Sequence, residues 1–145
     1  MSGTGAAGVG RRREGREQAL SLLYEADVKG ESPAAVLAAQ PATVEPFAAD
    51  LVSGVGTHQE QSDALIRRFA KGWSLERMPV VDRTLLRMAC YELGHRPDVP
   101  TAAVISEAVE LAKQYSTDDS GKFVNGLLGR IARELRPDGA EPPHP

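Results

Sequence analysis

VVDRTLLRMACYEL, Val80 to Leu93, sets its apolar residues at steps of three and four: Val81, Leu85, Leu86, Ala89, Cys90 and Leu93. They populate more than one face of a helix, which predicts a central element that is mostly surrounded. Gly94 ends it, and the proline-punctuated GHRPDVP loop leads into another helix from Thr101. In that helix Val104, Ile105, Ala108, Leu111, Ala112 and Tyr115 are expected to face inward. STDDS, Ser116 to Ser120, supplies candidate caps for a last helix whose stripe is Val124, Leu127, Leu128, Ile131 and Leu135.

Upstream of this segment the same periodicity continues. A first helix is expected over about Arg13 to Lys29, with Ala19, Leu20, Leu23 and Ala26 as its stripe and Gly30 as its stop signal. Ser32-Pro33 is a cap followed by proline at the first helical position, and it opens a short second helix that ends before Pro41. The third begins near Pro46, with Phe47, Leu51, Val55, His58, Ser62, Leu65 and Phe69 as a single seam. Gly54 and Gly56 weaken its middle and suit a bend or a close helix crossing. Lys71-Gly72-Trp73 closes it, and Met78-Pro79 opens the second half of the chain.

No segment shows sustained two-residue alternation, so the expected fold class is all-α: two small three-helix bundles packed together, about 11–72 and 79–137. The flanking segments 1–10 and 138–145 read as disordered tails, the second with three prolines in its last four residues. No run approaches the roughly 20 apolar residues that span a bilayer, and MSGTGAAGVG lacks a secretory apolar stretch. No membrane association is expected, and the cytoplasm is the expected location. A net charge of -3 argues against indiscriminate coating of nucleic acid, so any RNA or DNA site has to be a local patch.

Catalytic chemistry finds little support. The three histidines are scattered, His58 mid-helix, His95 in a loop and His144 in the tail, and none has a partner at ligand spacing. Cys90 is the sole cysteine and reads as a small buried hydrophobe. No Gly-rich loop joins a strand to a helix. The expectation is therefore a non-enzyme with no cofactor and no metal.

Two segments read differently. In RRREGRE, Arg12, Arg13 and Arg16 lie three and four residues apart and share a helix face. Arginines at a helix N-terminus oppose the macrodipole, which leaves two readings open: a solvated charge run, or a phosphate-binding arm. In SGKFVNGLLG, Ser120 to Gly129, the inward stripe is complete without Phe123, and Lys122 lies nearer the solvent side. Phe123 is then either a flanking core residue or a stacking surface for an unpaired base, with Lys122 and helix-entry N–H groups beside it for phosphate.

RRREGREQALSLLYEAD, VVDRTLLRMACYEL, DVPTAAVISEAVELAK and STDDSGKFVNGLLGRIARELRP, in this order and spacing, closely resemble the NusB family of bacterial transcription antitermination factors. The likeness runs from Arg11 to about Pro137 and is more specific in the second half. It implies a non-catalytic protein that binds boxA-type single-stranded RNA of ribosomal RNA leaders and spacers. It also implies a partner, a small-subunit ribosomal protein acting as Nus factor E, and entry into the RNA polymerase antitermination complex. By position it places Arg12, Arg13, Arg16, Lys122 and Phe123 on RNA, with Asp119 as a modulator, and Tyr24, Glu76 and Asp82 toward the ribosomal protein. Glu14 and Gly15 interrupt the arginine run, and 34–43 matches only loosely. Some actinobacterial relatives pair as homodimers, so both a monomer and a homodimer are compatible with the likeness.

Two other readings fit parts of the pattern. One is the RNA-targeting module of a ribosomal RNA methyltransferase, which would need a catalytic domain with a cofactor-binding Gly-rich loop. The other is a helical protein-interaction module in which the arginines are only solvated charge.

Overall fold

The structure is a computed structural model that describes residues 6–137. Six helices follow one another: α1 Ala6–Lys29, α2 Pro33–Ala38, α3 Pro46–Phe69, α4 Val80–His95, α5 Thr101–Tyr115 and α6 Asp118–Leu135. A 3-10 turn, Leu75–Arg77, precedes α4. There is no strand among the described residues, so the all-α class holds. No helix among them is long and apolar enough to cross a membrane.

The helix ends follow their local chemistry. Gly30, at φ +69°, closes α1 in a Schellman arrangement, with Glu31 N–H donating to Ala26 O at 2.9 Å and Gly30 N–H to Asp27 O at 3.3 Å. Ser32 caps α2 by accepting from Ala35 N–H at 3.1 Å, with Pro33 at the first helical position. The start of α1 differs from expectation. It lies at Ala6 rather than near Arg13, so 6–10 continue a helix already nucleated downstream, despite the low propensity of Gly8 and Gly10. Residues 1–5 and 138–145, including His144, lie outside the described residues.

The chain divides into two compact units between Thr57 and His58, inside α3. His58 has non-helical backbone angles, φ -109° and ψ 18°. Of the expected seam, Leu51, Val55 and Ser62 are buried, and Phe47, His58, Leu65 and Phe69 are half-buried; Ala48, Val52, Asp63, Ile66 and Ala70 beside them are buried as well. Gly56 lies two residues before the bend, and a Cβ there would meet Pro33 at 3.2 Å.

In the first unit α1 packs on α2, and Ala19, Leu20, Leu22, Leu23 and Ala26 are buried. In the second, α4, α5 and α6 all contact one another. Nearly every side of α4 is buried, from Thr84 through Leu93 apart from Arg87, as its multi-faced pattern predicted. Burial pushes the Cys90 thiol up to about 12, so it stays protonated. In α5, Val104, Ala108, Leu111 and Ala112 are buried as expected, but Tyr115 is exposed at the helix end.

Arg87 and Asp63 form a largely buried two-bond pair, Nε to Oδ1 at 2.7 Å and Nη2 to Oδ2 at 3.1 Å. Arg136, just past α6, is 7% exposed and uses all five of its N–H donors. They go to the carbonyl oxygens of Glu92, Leu93, Arg96 and Val99 and to Thr101 Oγ1, at 2.8 to 3.2 Å.

Candidate nucleic-acid interface

The arginine-rich start of α1 is built against the start of α3. Glu45 caps α3 by accepting from Ala48 N–H at 3.0 Å, and Pro46 opens the helix, which fixes Phe47 one residue further on. The guanidinium carbons of Arg16 and Arg12 lie 5.2 and 5.7 Å from the Phe47 ring centroid. Arg13 is exposed and Arg12 half-buried, but Arg16 is only 4% exposed. The shared face predicted for the three arginines thus splits: Arg16 is withdrawn into a cation–π contact that strengthens as water is removed.

Gly15 makes that contact geometrically available. A Cβ there would lie 2.8 Å from Glu45 Oε2 and 2.9 Å from Phe47 Cδ2, displacing the cap and the ring together. Overpacking of this kind costs about 1 to 3 kcal/mol, and alanine's better helix propensity returns up to about 1 kcal/mol. Gly15→Ala is expected to lose about 1 kcal/mol net by those same terms, seen as a lower urea midpoint. A raised midpoint contradicts this packing.

At the entrance to α6, Thr117 Oγ1 accepts from Ser120 N–H at 2.9 Å. Ser120 Oγ donates to Asp82 Oδ2 at 2.8 Å, accepts from Thr117 Oγ1 at 3.0 Å, and lies 2.9 Å from Ser116 Oγ. This network fixes where α6 begins and therefore which side chains of KFVNG face out. Val124, Leu127, Leu128 and Ile131 have no exposed surface, Lys122 is exposed, and Phe123 is half-buried outside that stripe. The Phe123 ring meets Trp73, with centroids 5.5 Å apart and planes inclined by 51°. Asp118 and Asp119, both exposed, occupy the first turn, where the helix dipole favours negative charge.

The positions assigned by resemblance to a protein partner fall in three environments. Tyr24 is 44% exposed on α1. Glu76 is exposed in the 3-10 turn, where its own backbone N–H, then Arg67 at 2.9 Å and Ser74 at 2.9 Å, hold its carboxyl down at about 2. It is therefore ionised at any working pH. Asp82, expected at a partner surface, is instead 3% exposed beneath the start of α6. Its Oδ2 anchors Ser120, and its Oδ1 has no hydrogen-bond partner among the described residues.

The histidines also differ from their scattered appearance. His95 belongs to α4 and stacks on His58 with ring centroids 3.8 Å apart, and Tyr91 lies 5.6 to 5.9 Å from both. The break in α3 and the end of α4 bring them together. Desolvation, then the neighbouring His58, lowers the His95 pKa from its ordinary 6.5. A lowered histidine pKa means that the unfolded chain binds the proton more readily. The contribution to stability is complete above about pH 6.5 and is lost as pH falls through the depressed value. Thermal unfolding at pH 7.5 and 5.5 is expected to show a drop in Tm that is smaller in His95→Gln; an identical drop in the variant contradicts it.

Two residues of weight escaped the sequence reading. Trp73 follows Gly72, and its local context signals only a helix end. The role of Arg136 had no local signal, because every group it touches lies at least 35 positions away.

The fold and the candidate site define the class: an all-helical protein that presents basic and aromatic side chains at the starts of its helices. Residues 13–133 match the NusB family. Transcription antitermination protein NusB of Salinispora tropica is 49% identical over 128 residues, covering 83% of this chain and 94% of that protein. The structure of T. maritima NusB agrees with a TM-score of 0.80 at 36% identity, covering 89% of this chain and 95% of its own. A crystal structure of antitermination factors NusB and NusE in complex with dsRNA contains a similar chain, with a TM-score of 0.73 at 29% identity, covering 86% of this chain and 97% of that one. The chain belongs to the NusB family, whose members are named as transcription antitermination factors, a non-catalytic role.

Proposed function

We propose that this protein is an RNA-binding transcription antitermination factor that binds boxA-type single-stranded RNA of ribosomal RNA transcripts. It does so together with a small-subunit ribosomal protein, Nus factor E, and joins the RNA polymerase antitermination complex in the cytoplasm. One observation carries the reading: Lys122 and Phe123 stand at the entrance of α6 outside a core stripe that is complete without them. The complex of a related NusB with NusE and dsRNA supports its coarser part, a NusB chain that meets both RNA and NusE.

In this reading Phe123 stacks a base, while Lys122, Arg12 and Arg13 hold phosphates. Arg16 acts chiefly by holding the Phe47 contact, Asp119 tempers the local charge, and Tyr24 and Glu76 meet the ribosomal protein. Asp82 acts through Ser120 by setting the start of α6. Each phosphate contact on a single strand contributes about -0.7 to the logarithmic salt slope. Arg12, Arg13 and Lys122 together give about -2. Titrating boxA RNA across salt concentrations tests this, and a slope near zero, or one that Arg12→Ala, Arg13→Ala and Arg16→Ala together leave unchanged, refutes it.

A further inference from the structure

The groove beside Phe123 has no role in that reading. Ala70 to Trp73 forms a turn closed by Trp73 N–H donating to Ala70 O at 3.0 Å, with Gly72 at φ +82°. A side chain is strained at that backbone angle, so the turn depends on glycine, and it sets the indole outside the core. Trp73 is 58% exposed. Folding gains little from an indole left in water, so burial does not account for it.

Around the indole is an open groove of about 710 Å³ lined by Arg68, Phe69, Lys71, Trp73, Phe123 and Arg130. Its charges are of one sign but differ in availability. Arg68 is committed, 3.1 Å from Glu134 and 4.8 Å from the centroid of the Phe69 ring. No acidic side chain among the described residues pairs with Lys71 or Arg130. Phe123, Gly126 and Arg130 follow at spacings of three and four along α6, so they share its outer face. Gly126 puts no side chain between the ring and the cation, and a Cβ there would meet only Arg130 Nη1, at 3.9 Å.

Resting on the RNA reading and extending it, we infer that Trp73 is a second stacking surface for an unpaired nucleobase, with Lys71 and Arg130 holding the phosphates on either side. The ligand class is single-stranded RNA continuing from the base on Phe123. The rings are inclined by 51°, so one flat base lies on one ring and the next on the other. Exposed aromatic faces set among unpaired cations are complementary to a strand that carries π faces and phosphates alternately. A duplex, whose bases are stacked on each other, offers no such face.

Trp73 is the only tryptophan, so the protein carries its own probe. Single-stranded boxA RNA titrated into the full chain together with the ribosomal protein is expected to quench Trp73 emission, with the Kd that anisotropy of labelled RNA reports. Trp73→Ala should weaken binding about five- to a hundredfold, and Trp73→Phe should keep most of it. Lys71→Ala and Arg130→Ala should each flatten the salt slope by about 0.7. Unchanged emission on RNA that binds normally, with Trp73→Ala binding as tightly as wild type, overturns the platform and leaves the RNA reading intact. Equal quenching by a duplex of the same sequence overturns the unpaired-base assignment. No RNA binding by the wild-type protein with its partner overturns both.

Discussion

Arg136→Ala is expected to lose about 3 to 5 kcal/mol of stability, because it removes five charge-assisted bonds to buried acceptors, each acceptor left without a donor costing about 1 to 3 kcal/mol. Its five bonds end where α4 stops, and Pro97 makes them necessary. The fourth residue after Leu93 is this proline, which has no N–H, so the helix cannot supply a donor to Leu93 O, and Arg136 Nε supplies it at 3.0 Å. The positive charge also sits against the negative end of the α4 dipole. Without the side chain, Leu93 O loses the donor that Pro97 cannot supply, while Glu92 O and Arg96 O keep only their backbone bonds from Arg96 N–H and Val99 N–H. Against a total of about 5 to 15 kcal/mol for a typical domain, this is a large share. Arg136→Lys keeps the charge but loses the planar fork, and should fall between. Urea unfolding measures it, and a loss below about 1 kcal/mol for Arg136→Ala, the net worth of a single ordinary hydrogen bond, contradicts the clasp.

Phe123→Ala is expected to have the second large effect, and it falls on RNA rather than on folding. A stacked base is worth about 1 to 3 kcal/mol, so boxA RNA should bind about five- to a hundredfold more weakly. Stability should change by about 1 kcal/mol, because the half-buried ring loses its contact with Trp73 but leaves no interior cavity. A core ring would instead cost about 3 to 5 kcal/mol. Phe123→Leu separates the two, since it keeps apolar bulk and removes the π face. Normal RNA affinity in Phe123→Ala, with a stability loss of the core size, would place the ring in the fold and not in the site.

Local signals were sufficient wherever one residue acts on its own turn. The Ser32-Pro33 start, the Gly30 stop, the cap before α6 and the multi-faced α4 were all legible because neighbours a few positions away decide them. The exposure of Lys122 followed in the same way from a stripe complete without it. What was not legible depends on distant partners. Arg16 looks like its neighbours in the sequence, but it is buried with its guanidinium over Phe47, which arrives with α3. Asp82 looks like a surface acid at a helix start, and only Ser120 makes it a buried anchor. The bend at His58 lies just beyond the two glycines that hinted at it, and its exact place had no local signal.

The central claim is cooperative RNA recognition, and it is tested most directly by the affinity of the purified protein for boxA RNA with and without the small-subunit ribosomal protein. With few phosphate contacts and a net charge of -3, the protein alone should bind weakly at physiological salt. A partner that adds basic contacts and preorganises the site should tighten the Kd by about tenfold or more. An unchanged Kd on adding the ribosomal protein would contradict the account.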